Sequence, residues 1–230
     1  MKIVEQEVTC IDYMGSDLRV VDAARVSFNK KSDLDEDGNL RDSDKRLINY
    51  LGNHNHWTPF GHCFLTLRIK APIFIARQLG KHQVGLVWNE VSRRYVDSEP
   101  EFYLPNSWRL RAENKKQGSS DEVYDKEIYS SFDGTYDESS YLTISEHMNA
   151  LLRLYQSMID HKICPEQARM VLPQNMMTEW YWSGSLAAFA RVCNLRLDEH
   201  SQKEVRDVAK MISDICAEIF PESWKVLCNG

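Results

Sequence analysis

The amino-acid sequence predicts an α+β fold. Residues Ile3–Thr9 and His62–Lys70 alternate apolar and polar side chains, as β-strands with one buried face do. Most of the C-terminal half instead repeats apolar residues at helical spacing, most clearly in Tyr141–His161. At 230 residues the chain can bury a sizeable core, and we expect a single domain over residues 1–230.

The first half of the chain is expected to place helices between and after these two strands. Ser16 suits the N-cap of a helix over Asp17–Phe28. Pro72 suits the first turn of a helix over Ile73–Gly80. Three segments lie between the first helix and the second strand. They are an acidic loop (Lys30–Asp44), a helix that starts with Asp44–Tyr50 and ends before His54, and a turn (His54–Pro59).

The second half opens with an excursion, residues 107–141, that is rich in turn-forming residues. We expect it to be a surface insertion or a lid, with a short helix near Asp121–Tyr129. The amphipathic helix Tyr141–His161 follows. Further helices are predicted over Pro165–Val171, Leu186–Leu195 and Glu199–Phe220.

The composition is that of an ordinary globular protein with an acidic balance. Hydrophobic residues make up 43% of the chain and charged residues 27%, with a net charge of -6. This balance argues against binding to nucleic acid or to a membrane surface, so any anion site must be local. The sequence starts without the apolar core of a secretory signal, and no apolar run approaches the ~18 residues of a membrane span. We therefore expect a cytoplasmic protein whose six cysteines are reduced thiols.

The segment Lys81–Tyr95 carries the strongest functional signal. Its apolar residues follow neither helical nor strand spacing, and its polar residues suit an anionic ligand that forms hydrogen bonds. Guanidinium groups match phosphate oxygens, amides match ring edges, and a carboxylate accepts from hydroxyl or N–H groups. The alternative is an exposed polar loop. The ligand-type residues are Lys81, His82, Gln83, Asn89, Glu90, Ser92, Arg93, Arg94 and Tyr95.

Two further arginines, Arg169 and Arg196, stand among apolar neighbours. Such a side chain either extends its guanidinium to solvent or meets an anion. Together with Arg93 and Arg94, the two arginines favour convergence on one phosphorylated ligand.

The other motifs in the sequence provide no strong evidence for a function. His54, His56 and His62 could suggest a metal site, although their spacing matches no common zinc pattern. The glycine-rich phosphate loops of dinucleotide-binding and P-loop proteins are absent, as is the nucleophile elbow of serine hydrolases.

Four sequence blocks together give the chain a resemblance to a known family. In this order they resemble the flavin-dependent thymidylate synthases, and Lys70–Gln78 fits the same family. The resemblance covers most of the chain and leaves residues 107–141 unmatched. The blocks are Ala23–Phe28, His56–Phe60 with His62, Lys81–Tyr95, and Ala168–Pro173 leading to Asn194–Arg196.

The resemblance implies an activity, cofactors and an assembly. Members of the family make dTMP from dUMP, with methylenetetrahydrofolate as carbon donor, NADPH as reductant and FAD as hydride carrier. They are homotetramers whose active sites draw residues from more than one subunit. The implied fold is a central antiparallel or mixed sheet flanked by helices, with a helical C-terminal half.

The resemblance also implies roles for individual residues. Arg196 would face the uracil ring and stabilise the negative charge that develops there, and His56 is a candidate contact for the folate or the substrate. The implied dUMP contacts are Gln78, Lys81, Glu90, Ser92, Arg93, Arg94, Arg169 and Arg196. The implied FAD contacts are Ser27, Thr58, Lys81, His82, Gln83, Asn89, Glu90, Ser185 and Arg191.

The chain departs from the family pattern at several of these positions. The family signature R-H-R, seven residues, then Ser reads here Lys81-His82-Gln83, eight residues, then Ser92. The family contacts Asn-x-Arg and a later Asn correspond to Ser185, Ala187 and Arg191, and Gly61 stands where Glu is common. One alternative is therefore a non-catalytic nucleotide-binding protein of the same fold. A second is a metal-dependent hydrolase that uses His54, His56 and His62.

Overall fold

A computed structural model describes residues 1–113, 119–131 and 141–228, which form two compact units. The first unit comprises Met1–Gln6, Ala71–Ala76 and Glu90–Thr178. The second comprises Glu7–Lys70, Arg77–Asn89 and Glu179–Gly230. The predicted α+β class is confirmed, whereas a single domain over residues 1–230 stays a prediction.

The described residues form ten strands and eight α-helices. The strands are β1 (Lys2–Ile3), β2 (Glu7–Met14), β3 (Phe64–Pro72), β4 (Leu86–Glu90), β5 (Glu101–Phe102), β6 (Trp108–Arg111), β7 (Ser119–Tyr124), β8 (Tyr129–Ser131), β9 (Tyr141–Thr143) and β10 (Met177–Ser185). The helices are α1 (Asp17–Arg25), α2 (Asp42–Asn53), α3 (Ile73–Leu79), α4 (Ile144–Asp160), α5 (Pro165–Ala168), α6 (Leu186–Arg196), α7 (Lys203–Ile219) and α8 (Pro221–Leu227). In the same part of the chain, short 3-10 segments lie at Val26–Phe28, Thr58–His62 and Arg169–Val171.

A four-stranded sheet with the order β2-β3-β10-β4 underlies the second unit. Strands β2 and β3 pair antiparallel from Glu7–Lys70 to Met14–Phe64, with a register shift between Cys10 and Asp12. The interior strands β3 and β10 alternate buried with more exposed residues. The sheet therefore presents one apolar face to the helices, as the pleat requires.

Helix α6 occupies the core of the second unit, because most of its residues from Leu186 to Cys193 are buried. Amphipathic α7 instead buries one stripe, including Val205, Val208 and Ile212. Buried Asp17 accepts from the backbone N–H groups of both Glu222 and Ser223, at 2.9 Å each. This carboxylate satisfies N–H groups that the first turn of α8 leaves without helical partners.

The first unit has its own small core of Phe102, Met148 and Met176, against which Ile73 and Leu104 pack. Strands β1 and β5 pair in parallel beside it, from Lys2–Glu101 to Ile3–Phe102. Helix α4 begins with a complete capping box between Thr143 and Glu146. The box gives α4 a definite start immediately after β9.

Several predicted elements are wrong in type or extent. The helix expected near Asp121–Tyr129 is wrong, because β7 pairs antiparallel with β6 and β8 with β9. Residues 114–118 and 132–140 of the excursion lie outside the described residues. The strand expected over Ile3–Thr9 is divided into β1 and β2, which belong to different units.

Three further differences concern the sheet and the helix starts. Pro72 ends β3 and does not open α3. Strand β4 forms inside Lys81–Tyr95, which was expected to lack a regular period, and central strand β10 was not predicted. The N-cap position of Ser16 is confirmed, although its side chain makes no capping hydrogen bond.

Over the part of the chain that the structure describes, none of the helices is both long and apolar enough to cross a bilayer.

Candidate active site

A hydrogen-bonded cluster around Arg196 lies in the second unit, where the end of α6 meets the end of α3. The Arg196 Nε–H donates to His82 Nε2 at 3.0 Å, and Nη2 donates to the Gln78 carbonyl at 3.3 Å. Both acceptors are uncharged, because His82 can accept at Nε2 only as a neutral imidazole. Arg196 is therefore a cation held in place by neutral groups.

Burial shifts the protonation equilibria of both partners in this cluster. Burial lowers the pKa of the Arg196 guanidinium below its usual value. Burial, and secondly the charge of Arg196, lowers the pKa of His82 below 6.5. Since a guanidinium stays protonated at any working pH, the cluster carries a positive charge that an anionic or polarisable ligand would stabilise.

The side chain of Gln78 is held by a second group of polar residues. Gln78 Nε2 donates to Gln202 Oε1 at 2.5 Å, and Gln202 Nε2 donates to Glu204 Oε2 at 3.0 Å. Glu204 is only 5% exposed. Thus the structure brings together three predicted site residues, Gln78, His82 and Arg196, and adds two that were not predicted.

A cavity of about 690 Å³ opens in the second unit, within the size range of small-molecule sites. Arg191 lines it and donates from Nη2 to the Val84 carbonyl at 2.8 Å. Ser185 caps α6, because its Oγ accepts from the Ala188 N–H at 3.2 Å. Apolar, aromatic and amide groups complete the lining, among them Asn53, Asn55, Trp57, Val84, Ala187 and Asn194.

The turn Lys81–Gly85 lies against the sheet through a close backbone contact at Gly85. Gly85 has φ +74°, a conformation that glycine adopts readily. Gly184 on β10 lies so close that a Cβ atom there would be 2.5 Å from the Gly85 carbonyl oxygen. The chain therefore turns tightly before β4 begins.

The predicted residues of the first unit form short local contacts. Thr178 Oγ1 donates to Glu90 Oε1 at 2.7 Å. Arg94 Nε donates to Ser92 Oγ at 3.2 Å, and Arg93 donates to the Ser98 carbonyl. Arg169 is exposed and its Nε donates to the Glu166 carbonyl at 3.3 Å. These arginines donate to neutral oxygens, so the positive charge of each guanidinium is available to bind an anion.

The other predicted cofactor residues lie at the surface. Ser27 is exposed in the 3-10 segment after α1, and Thr58 is exposed at the start of the next one. The predicted FAD contacts Lys81, Gln83 and Asn89 are also exposed. No hydrogen bond between them defines a common site.

The three histidines considered as metal ligands, His54, His56 and His62, do not form a metal site. The His54 ring stacks on Tyr50 with centroids 4.1 Å apart, and the His56 ring stacks on the same tyrosine at 5.9 Å. Within residues 1–113, 119–131 and 141–228, no three His, Cys, Asp or Glu side chains lie close enough to hold a metal ion. The hydrolase alternative therefore lacks its required geometry.

The cysteines do not offer an activated thiolate at the positions where a shift is resolved. Burial, followed by the charge of Asp17, raises the pKa of Cys63 to about 11. Burial likewise raises the pKa of Cys10 and Cys216. A raised pKa disfavours the thiolate, which is the nucleophilic form.

The lining of the cavity fits a flavin. The exposed indole of Trp57 can stack on a flat ring, the side-chain amides of Asn55 and Asn194 can pair with its polar edges, and Arg191 can meet a phosphate. Trp57 and Asn194 lie in two of the family blocks but were not assigned to a ligand, and Asn55 lacked a distinguishing signal in the sequence. Only the packing of α2, α6 and α8 shows that they share a cavity.

The comparisons with known proteins identify a family for this fold. The family profile "Thymidylate synthase complementing protein" matches residues 9–222. The flavin-dependent thymidylate synthase of Treponema denticola is 33% identical over 217 residues, which cover 93% of this chain and 76% of that protein. The enzyme of the same name from Thermosipho africanus is 35% identical over 215 residues, covering 94% and 87%.

A solved structure shares the architecture. The UMP/dUMP methylase PolB from Streptomyces cacaoi, bound with 5-Br dUMP, superposes with a TM-score of 0.74. It is 27% identical and the match covers 98% of this chain and 96% of that one. The chain is therefore an α+β enzyme. The chain belongs to the flavin-dependent thymidylate synthase family, as the four sequence blocks indicated.

Proposed function

We propose that the protein makes dTMP by reductive methylation of dUMP, with methylenetetrahydrofolate as carbon donor, NADPH as reductant and FAD as hydride carrier. Membership of the family supports this reaction. The observation that carries it is the half-buried Arg196, a cation whose bonding partners His82 and Gln78 are both neutral.

Arg196 is assigned to the uracil ring. Addition of a one-carbon unit at C5 develops negative charge over the pyrimidine carbonyl and N3, and a guanidinium in a partly dry site stabilises it. Its Nε–H donates to His82 and one Nη2 N–H donates to the Gln78 carbonyl, so the other N–H groups are available to the ring. His82 and Gln78 orient the group before the substrate arrives.

The arginines of the first unit are assigned to the nucleotide phosphate. Arg94 and Arg169 are exposed cations, and guanidinium groups bind phosphate through paired N–H donors. The Ser92 hydroxyl and the Glu90 carboxylate suit the sugar hydroxyls. Further dUMP contacts are proposed from Gln78, Lys81 and Arg93.

The flavin is assigned to the residues that match the family pattern. When bound, FAD supplies the hydride that NADPH provides for the reductive step. Arg191 and the capped start of α6 are rigid elements that can orient it. The full proposed set is Ser27, Thr58, Lys81, His82, Gln83, Asn89, Glu90, Ser185 and Arg191.

A direct assay tests the reaction. Purified protein with dUMP, methylenetetrahydrofolate, NADPH and FAD should form dTMP, and omission of any one component should stop it. UMP in place of dUMP should be run in parallel, because the structurally similar PolB is named for both nucleotides. A protein that binds dUMP, remains colourless with FAD and forms no dTMP would favour the non-catalytic alternative.

The assembly and the folate contact belong to the same proposal. We expect a cytoplasmic homotetramer whose active sites are shared between subunits, with exposed His56 as a folate or substrate contact. Analytical ultracentrifugation measures the assembly. A stable, fully active monomer would contradict it.

A further inference from the structure

A line of three polar side chains leads from the interior of the second unit to Gln78. Glu204 lies in the first turn of α7 and is buried, and Gln202 occupies the N-cap position of the same helix. Gln202 makes no capping hydrogen bond. Its amide instead joins Glu204 to Gln78, with one hydrogen bond at each end.

The direction of these hydrogen bonds is determined by the carboxylate at the inner end. Gln202 turns its NH2 group toward Glu204, as a carboxylate oxygen that accepts a hydrogen bond requires. The Gln202 oxygen then faces Gln78, which must turn its own NH2 group toward Gln202. The Gln78 amide oxygen consequently points away from this line of residues. The first turn of α7 is a favourable position for the negative charge that sets this order.

We infer that Glu204 and Gln202 are positioning residues, which fix the Gln78 amide so that it presents its oxygen as a hydrogen-bond acceptor to the nucleotide. The bound ligand must then offer a donor at that point, and dUMP has two, the ring N3–H and the 3′-hydroxyl. This inference rests on the proposed role of Gln78 in nucleotide binding. It adds two residues that do not themselves touch the ligand.

The first test changes the inner end of the line. In Glu204→Gln the amide at position 204 can either donate or accept, so the amides of Gln202 and Gln78 are free to reverse. We expect the Kd for dUMP to rise about tenfold, the effect of one lost hydrogen bond in a partly buried site. The double variant Q202E/E204Q puts a carboxylate next to Gln78, so Gln78 must again turn its NH2 group toward position 202 and its oxygen toward the ligand. This variant should recover most of the affinity.

The second test identifies the donor on the ligand and separates positioning from general damage. Binding of dUMP, N3-methyl dUMP and 2′,3′-dideoxyuridine monophosphate is measured by calorimetry for wild type and E204Q. E204Q should not raise the Kd of the one analogue that lacks the hydrogen-bond donor, N3–H or 3′-hydroxyl, that pairs with the Gln78 oxygen. Equal weakening for all three ligands, or no recovery in the double variant, would overturn the inference.

Asp17→Asn is the matched control, because Asp17 is a buried carboxylate that accepts two backbone N–H bonds from α8. It should lower the melting temperature and leave the Kd for dUMP unchanged. If wild-type protein bound no dUMP, the proposed function would fail. If wild type binds and E204Q binds equally well, only the positioning role is refuted.

Discussion

Arg196 is held by two acceptors that do not neutralise it, and this is the main chemical feature of the candidate site. A carboxylate partner would offset the charge of the guanidinium and reduce its effect on a ligand. The His82 imidazole and the Gln78 carbonyl orient the side chain and leave its charge in place. Arg196 would therefore stabilise a ring that gains negative charge more strongly in the transition state than in the ground state.

Arg196→Ala should lower kcat for dTMP formation by about 10²–10³-fold, the usual loss when one such electrostatic group is removed. The flavin absorption bands should remain, because FAD is assigned to other residues. Steady-state assays and visible spectra measure both. Arg46→Ala, which removes an exposed arginine of α2, is the control and should be active. Near-native turnover in Arg196→Ala would remove this residue from its role.

His82 should make folding stability depend on pH. Burial, and then Arg196, lowers its pKa in the folded protein below 6.5. Between the folded pKa and 6.5 the unfolded chain binds more protons, so stability rises with pH in this window. The contribution is complete above pH 6.5 and is lost as pH falls through the folded pKa.

His82→Gln provides the test of this dependence, since glutamine can still accept from Arg196 but does not titrate. Urea unfolding from about pH 5 to pH 8, the range in which histidine changes charge, should give a smaller slope of stability against pH for this variant. Identical slopes for the two proteins would show that another group is responsible.

At the scale of elements, the site depends on the contact between the turn before β4 and the end of β10. Gly85 in the turn and Gly184 on the strand approach closely, and Arg191 of α6 bonds to the Val84 carbonyl. The position of the turn therefore follows from the backbone of β10 and from one side chain of α6. Only a residue without Cβ allows this approach at position 184.

Gly184→Ala should lower the free energy of unfolding by about 1–3 kcal/mol, the cost of overpacking a tight contact. The new Cβ would lie 2.5 Å from both the Gly85 oxygen and Leu86 Cδ2, so the turn must shift. Gly61→Ala is the matched control, because its nearest contact would be the Trp57 ring at 3.5 Å. It should change stability by less than ~0.5 kcal/mol. Equal losses in the two variants, measured by urea unfolding, would contradict this account of β10.

At the scale of the whole molecule, FAD should stabilise the folded protein. A ligand that binds only the folded state adds about 2.7 kcal/mol at a concentration of 100 times Kd. Thermal unfolding with and without FAD measures the gain, and NAD⁺ at the same concentration is the control. No difference between FAD and NAD⁺ would argue against a flavin site in this chain.

Much of the fold was predictable from local patterns, and the failures have physical causes. The amphipathic repeat of α4 located that helix closely, since its apolar stripe is a local property. Strand β10 escaped prediction because both Trp180 and Trp182 are buried and Tyr181 between them is aromatic as well, so polarity hardly alternates. The paired strands β6 to β9 were missed because turn-forming residues dominate that segment.

The candidate site was predictable in its residue types more than in its contacts. Arg196, His82 and Gln78 were identified by their match to a family, whereas Gln202 and Glu204 lie 124 or more residues from Gln78 and resemble the start of any surface helix. Ser185 was assigned to FAD, and the structure adds that its hydroxyl caps α6. Hydrogen bonds between such distant residues leave no local pattern.

The class of fold, most helices and the family were predictable from the sequence, because they follow from residue spacing and from the order of motifs along the chain. Three features became visible only in the folded protein: His82 is a neutral acceptor, Arg196 has uncharged partners, and Gln78 turns its amide oxygen away from Gln202. The reason is that the direction of a hydrogen bond depends on which groups meet in space, and those groups come from α3, α6 and α7.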